Sequence, residues 1–139
     1  MSAPATHLLD TDTLSEVIKD RDLRVRQAAR QYLETHGSFT FSIITRYEVL
    51  RGLKAKGATR QVAAFEHWCQ TSIVLPLSDD VVVRAADLYA DLYRSGHLIS
   101  DADILIAATA LVHGLILITG NVAHFQHISG LPLASWRTP

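Results

Sequence analysis

Four polar residues lie beside apolar stretches that are expected to be buried. A polar side chain in such a place is costly unless it has a binding partner. The four residues are three acids and one amide: Asp10, Glu48, Asp103 and Asn121. Carboxylates gathered in one pocket repel one another and raise one another's pKa unless a cation holds them. Ligation by oxygen alone, without thiolate or imidazole, favours a hard divalent ion such as Mg²⁺ or Mn²⁺. These residue types therefore predict a divalent-metal site, provided that the fold brings the four side chains together.

Helix capping is the competing explanation for Asp103. Ser100 and Asp103 have the spacing of a capping box ahead of an apolar run. That motif prefers the longer Glu or Gln, however, and Asp103 shares a helical stripe with the small residues Ala107 and Ala110. We therefore predict that Asp103 faces inward as a site residue and that Asp101 lies at the cap or the rim.

Capping also competes for the acids that follow the first two predicted strands. Asp12 and Thr13 are better placed than Asp10 to cap the first helix, because Asp10 comes directly after the strand. Thr45 is placed to cap the next helix, and Thr45 and Glu48 again have capping-box spacing. Spacing alone does not separate that role from metal ligation, so both interpretations of Glu48 stay open.

Composition limits the class of protein. The 139 residues predict one domain over 1–139, and the single Cys69 cannot form an internal disulfide. The N-terminus lacks the basic start and apolar core of a signal peptide, so we expect a cytoplasmic protein. No apolar run reaches the ~20 residues that span a bilayer, so no membrane partner is expected. The net charge of −1 excludes a global basic field, and a polyanion would need a local patch.

Strands and helices alternate along the chain, which predicts an α/β fold. Five apolar runs have the length and composition of strands: 6–9, 39–44, 73–77, 115–118 and 131–136, the last an edge strand that tolerates Pro132. The alternation favours a mostly parallel central sheet with right-handed crossovers and helices on both faces. A helix through 104–112 would be apolar on nearly all sides, so we predict that it is buried.

This topology brings the four polar residues to one edge of the sheet. Asp10 follows the first strand, and Glu48 lies in the helix after the second. Asp103 opens the helix that leads to the fourth strand, and Asn121 follows that strand. Ligands of parallel sheets bind beyond the carboxyl ends of the strands. Since Mg²⁺ keeps several waters and binds substrate phosphate, the predicted chemistry is metal-assisted hydrolysis of a phosphoester.

The densest basic segment of the chain surrounds Glu48. Two predicted helices, separated at Gly57 and Ala58, form a hairpin with a basic tip. A solvated surface is one explanation for such charges, and contact with substrate phosphates is the other. We predict phosphate contacts for four of these cations: Arg46, Arg51, Lys54 and Arg60.

Four stretches, in chain order, carry a family resemblance: LLDTD at Asp10, SIITRYEVLRG around Glu48, DADILIAATALVHGLILITGN with Asp103, and the closing HFQHISGLPLASW. Together they resemble PIN-domain ribonucleases, and most closely the VapC toxins of bacterial toxin–antitoxin pairs. The resemblance implies a PIN-like three-layer fold and an Mg²⁺- or Mn²⁺-dependent endoribonuclease that cuts RNA with a metal-activated water. It also implies a cognate VapB-type antitoxin, a homodimer and higher toxin–antitoxin assemblies.

The family pattern also assigns roles to residues. Asp10, Glu48 and Asp103 would be the catalytic acids and the metal ligands. Asn121 stands where a fourth acid often lies, so its amide could bind only as a neutral oxygen or through water. One metal and two metals both remain open.

Two other positions depart from the family pattern. His124, just before Phe125, stands where such toxins often carry an acid, and we assign it no role. Asp12 replaces a frequent Asn or Ser after the first acid and could be an outer-shell group.

Two alternatives belong to other functional classes. The run Asp10-Thr11-Asp12 resembles the opening of haloacid-dehalogenase phosphatases, but Leu14 breaks that pattern. The other alternative is an inactive PIN-like module that only binds a protein partner. The absence of the fourth acid is consistent with this alternative. Activity on RNA in Mn²⁺ distinguishes both from a ribonuclease.

Overall fold

A five-stranded parallel sheet forms the centre of the structure, a computed structural model that describes residues 3–137. Its strands are β1 (His7–Leu9), β2 (Thr40–Ser42), β3 (Ile73–Leu75), β4 (Ile116–Ile118) and β5 (Leu133–Ala134). Their order is β3-β2-β1-β4-β5, and every neighbouring pair is parallel. The predicted sheet and the edge position of the last strand are confirmed. The strands are shorter than predicted because caps and turns begin early, as where Ser42 ends β2 and caps the following helix.

Helices fill the connections between the strands. They are α1 (Thr11–Lys19), α2 (Leu23–His36), α3 (Ile43–Ala55), α4 (Thr59–Cys69), α5 (Asp79–Ser95), α6 (Asp101–Val112) and α7 (Val122–Phe125). Within residues 3–137, no helix is long and apolar enough to cross a membrane.

Two apolar cores, one on each face of the sheet, produce the three layers. Leu8 and Leu9 are adjacent in β1 and fully buried, yet they belong to different cores. Successive strand side chains point to opposite faces, so one strand supplies both. The first core packs α5 and α6 against the sheet, and the second contains buried residues of α1, α2 and α4. The predicted three-layer arrangement is confirmed.

The buried helix predicted between residues 104 and 112 is α6. Six of its residues are buried, four of them alanine or threonine: Ile104, Ile106, Ala107, Ala108, Thr109 and Ala110. Small side chains let this helix approach α5 and the sheet closely. Gly114 then takes a left-handed conformation with φ of 65°, which strains other L-residues, and turns the chain into β4. The first turn of α6 is thereby held at the carboxyl edge of the sheet.

Candidate active site

Asp10 occupies the junction between β1 and α1 and has only 5% of its surface exposed. Its Oδ1 accepts a hydrogen bond from the Thr13 backbone N–H at 2.7 Å, so Asp10 is the N-cap of α1. The prediction that Asp12 or Thr13 caps this helix is wrong. The strand ends at Leu9 and the helix begins at Thr11, which leaves Asp10 in the extended conformation of a cap.

Burial raises the pKa of the Asp10 carboxyl above its ordinary value, because an apolar environment penalises the charged form. Hydrogen bonds from Thr119 and Thr13 act in the opposite direction, and the charge of Asp12 adds a small further increase to this pKa. A cation at this carboxylate would favour the charged form. Asp10 is therefore a desolvated acid that a bound cation would stabilise.

Glu48 lies in the second turn of α3, beyond any capping position. Ser42 is the N-cap of this helix, since its Oγ accepts a hydrogen bond from the Ile44 N–H at 3.0 Å. The prediction that Thr45 caps the helix is wrong, because the strand ends three residues earlier and Thr45 is already helical and buried. The capping-box explanation of Glu48 is thereby excluded.

The carboxylate of Glu48 contacts Thr11, the residue that follows Asp10. Its Oε1 accepts a hydrogen bond from the Thr11 hydroxyl at 2.6 Å, and Thr11 directly follows Asp10 in the chain. Only 17% of the Glu48 side chain is exposed. Glu48 therefore lies beside the β1–α1 junction that holds Asp10.

Asp103 lies in the first turn of α6, which Ser100 caps by accepting a hydrogen bond from the Asp103 N–H at 3.2 Å. Among the hydrogen bonds of residues 3–137, the Asp103 carboxylate does not return to the Ser100 N–H as a capping box requires. Instead its Oδ2 lies 2.8 Å from Nε2 of His124. Asp101 is exposed at the rim. Only the Ser100 half of the capping box forms, and the Asp103 carboxylate contacts His124 instead of the helix backbone.

His124 is the site residue that the sequence did not reveal. Its backbone N–H donates to the Asn121 carbonyl at 3.1 Å, and the Asn121 N–H donates to the Thr119 hydroxyl oxygen at 3.0 Å. Thr119 is buried, and the Asp10 N–H donates to the carbonyl of the preceding residue, Ile118, at 3.0 Å. The short helix α7 thus connects Asp103 to Asp10 through consecutive contacts. The available signal was the three-residue spacing from Asn121, which puts His124 one helical turn away.

The donor chemistry of these residues fits a hard divalent ion, since carboxylate and amide oxygens are its preferred ligands. Within residues 3–137, however, no three His, Cys, Asp or Glu side chains are arranged to hold an ion together. Glu48 and Asp103 instead engage Thr11 and His124. Metal ligation by Asp10, Glu48 and Asp103 therefore requires side-chain movement and stays a prediction, as does a contribution from Asn121.

Arg51, one of the four cations predicted to bind RNA, lies beside Glu48 on α3. Its Nη2 lies 3.4 Å from Oε2 of Glu48. The same guanidinium lies 5.2 Å from the centre of the Tyr47 ring.

The other three predicted cations differ in their surroundings. Arg46 forms an ion pair with Glu66 across the α3–α4 hairpin, so its charge is largely compensated. Lys54 and Arg60 are exposed on that hairpin. Arg46 is accordingly the weakest of the four candidates for binding phosphate.

Comparisons with known proteins agree with this architecture. Residues 7–131 match the PIN domain family. Over 131 residues the chain is 29% identical to "Ribonuclease VapC2" of Haemophilus influenzae, covering 94% of this chain and 97% of that protein. It is 27% identical over 130 residues to the "tRNA(fMet)-specific endonuclease VapC" of Shigella flexneri, covering 93% and 96% respectively.

A solved structure shows the same fold in a toxin–antitoxin complex. The DNA-bound VapBC of Salmonella typhimurium superimposes with a TM-score of 0.84 at 26% identity, covering 95% of this chain and 98% of the other. The fold and these likenesses agree: the chain belongs to the PIN-domain family, among the VapC ribonucleases.

Proposed function

We propose that this VapC family member is a divalent-metal-dependent endoribonuclease whose acids Asp10, Glu48 and Asp103 hold Mg²⁺ or Mn²⁺. One observation carries the proposal: hydrogen bonds link the segments that hold the three acids. The Thr11 hydroxyl, next to Asp10, donates to Glu48, and the Asp10 N–H donates to the Ile118 carbonyl at the end of β4. The segment after β4 then reaches Asp103 through His124. When bound, the ion would activate water and neutralise charge that develops on the phosphate.

The chain's own residues prepare the site for that chemistry. Capping of α1 fixes Asp10 on a rigid element, and its burial keeps bulk water away. His124 orients the Asp103 carboxylate, as outer-shell partners commonly do for ligands. Asn121 would add a neutral oxygen, directly or through water. Arg51 would pair with the phosphate next to the one that is cleaved.

Purified wild-type protein incubated with RNA tests this function directly. Short single-stranded RNAs and total tRNA are suitable substrates, the latter because one relative is named as a tRNA(fMet)-specific endonuclease. We expect internal cleavage in millimolar Mn²⁺ and none in EDTA. Binding of a protein partner without any cleavage would favour the inactive module instead. Membership of the PIN-domain family already argues against the phosphatase alternative.

RNA binding should depend steeply on salt, because exposed cations that contact phosphates release counterions. The Arg51→Ala, Lys54→Ala double variant is expected to lower the slope of log K against log salt by ~1.4, about 0.7 for each phosphate contact. Fluorescence anisotropy of a labelled RNA measures this slope. Arg84→Ala, Arg94→Ala on α5 is the matched control and should leave it unchanged. An unchanged slope in the Arg51, Lys54 variant would make these cations a solvated surface.

We further propose that a VapB-type antitoxin inserts an apolar helix into a groove between α1, α2 and α4. The groove encloses about 760 Å³, and its apolar wall includes Val17, Ala29, Leu33, Phe39, Phe65 and Trp68. Acidic and basic side chains line its rim, among them Glu16, Asp20, Arg26 and Arg30. A groove with apolar walls and a charged rim suits an amphipathic helix. The structural relative is itself a VapBC complex.

A charge placed in this groove should weaken the complex. Leu33 is 38% exposed and lines the groove, so Leu33→Asp is expected to raise the Kd for the antitoxin roughly 30-fold, about 2 kcal/mol. RNA cleavage by the free variant should be retained. Calorimetry with a purified VapB-type antitoxin measures the Kd. Leu98→Asp, in the exposed α5–α6 loop, is the control, and equal effects of both substitutions would place the antitoxin elsewhere.

The homodimer that the family resemblance implies is also a proposal. Apolar residues exposed along α5 offer a surface for it: Val82, Val83, Tyr89 and Tyr93. Sedimentation velocity would measure the oligomeric state.

A further inference from the structure

Tyr47 is a large aromatic side chain left in solvent at the edge of the acidic site. It is 57% exposed and belongs to neither apolar core. It precedes Glu48 on α3, and the Arg51 guanidinium lies 5.2 Å from the centre of its ring. That guanidinium also reaches Glu48 Oε2, at 3.4 Å. A single cation therefore connects the face of an exposed ring to a carboxylate of the site.

Exposed aromatic rings beside cations are the common recognition elements for unpaired nucleic acid. Every base has a π-face that can stack on a tyrosine ring, and an arginine beside the ring adds a cation–π contribution and pairs with the adjacent phosphate. Tyr47 supplies the ring and Arg51 the cation, next to acids that would act on a phosphate. Exposed Lys54 lies on the same helix and extends the positive surface away from the site.

We propose that Tyr47 and Arg51 form a stacking platform that holds one unpaired nucleobase of the substrate beside the scissile phosphate. This inference rests on the proposed ribonuclease function and names the two residues that would hold an unpaired base of its substrate. A base inside a duplex is already stacked on its neighbours on both sides, so it cannot present a face to the ring. The tyrosine hydroxyl is not required.

Binding measurements with the cleavage-deficient Asp103→Asn protein separate stacking from other contacts. Tyr47→Ala in that background is expected to weaken binding of a short single-stranded RNA by roughly 5- to 150-fold, the range for loss of one stacked base. Tyr47→Phe should bind like the parent protein, because the ring is kept. Leu98→Ala is the control, since Leu98 is an exposed apolar side chain in the α5–α6 loop, outside the proposed interfaces, and it should have no effect.

Abasic RNAs identify the stacked base. In the parent protein one abasic position should weaken binding, and in Tyr47→Ala the same position should cause no further loss. A 2-aminopurine at that position should lose fluorescence on binding the parent protein and keep it on binding Tyr47→Ala. Blunt duplex RNA should bind equally to both proteins.

Several outcomes would overturn the inference. Unchanged RNA affinity in Tyr47→Ala would do so. An equal loss of RNA affinity in Tyr47→Phe would also do so, as would a Tyr47→Ala variant that loses affinity for the antitoxin but not for RNA. If wild-type protein cuts RNA in Mn²⁺ and Tyr47→Ala cuts it equally well, only the platform is wrong. If the wild type cuts no RNA at all, the proposed function fails and the platform with it.

Discussion

The Asp10→Asn variant is expected to lose at least about 100-fold in RNA cleavage, ~2.7 kcal/mol of transition-state stabilisation, and yet to melt at a higher temperature than the wild type in EDTA. The two effects have one cause. The buried carboxylate is costly to ionise, so its pKa is raised by burial. Asn is as good an N-cap as Asp and keeps an oxygen for the Thr13 N–H. We expect a gain of ~0.5–1 kcal/mol in the free energy of unfolding, because catalytic acids often cost stability.

The pH dependence of that gain has a defined sign. Since the pKa of folded Asp10 lies above its ordinary value of 3.8, the folded protein holds this proton more tightly than the unfolded chain does. Wild-type stability therefore falls as pH rises from the unfolded pKa through the folded pKa. The advantage of the Asp10→Asn variant should be complete at neutral pH and disappear below the unfolded pKa.

Calorimetry across pH and a gel assay of RNA cleavage measure the two effects. Asp12→Asn is the control, because Asp12 is exposed in the same helical turn and should change neither property strongly. A clear loss of stability in EDTA for Asp10→Asn would mean that the charge of Asp10 stabilises the fold, contrary to its burial.

The Asp103→Asn variant should lose at least about 100-fold in cleavage and most of the stabilisation that metal provides. At a metal concentration 100 times the Kd, a binding-competent protein gains ~2.7 kcal/mol by mass action. Wild type should show such a gain in millimolar Mn²⁺, and the variant much less. Asn preserves the shape of the side chain, and the Ser100 cap uses only the backbone N–H of residue 103. The fold in EDTA should therefore be unaffected.

Asp101→Asn is the matched control for this experiment, since both acids lie in the first turn of α6 and only Asp103 contacts His124. Differential scanning fluorimetry of the three proteins, each in EDTA and in Mn²⁺, gives the required melting points. Equal metal-induced gains in all three proteins would show that Asp103 does not hold the ion.

Periodicity alone was enough to predict α6 and the parallel sheet. A stretch without a polar side must be buried, and short apolar runs separated by helices leave few topologies other than parallel strands. The order of the elements then placed Asp10, Glu48 and Asp103 at one edge, since the carboxyl ends of parallel strands meet there. These conclusions depend on local hydrophobicity and chain order, which the sequence contains in full.

Only the tertiary structure decided what each polar group contacts. Asp10 rather than Asp12 caps α1, because the end of β1 depends on its pairing with neighbouring strands. His124 reaches Asp103 from 21 positions away in the chain, and Thr11 reaches Glu48 from 37 positions away. The apolar groove between α1, α2 and α4 and the exposure of Tyr47 likewise depend on how separate helices pack. Such contacts are set by the distances between distant segments in the folded chain, and residue spacing along the sequence carries no measure of those distances.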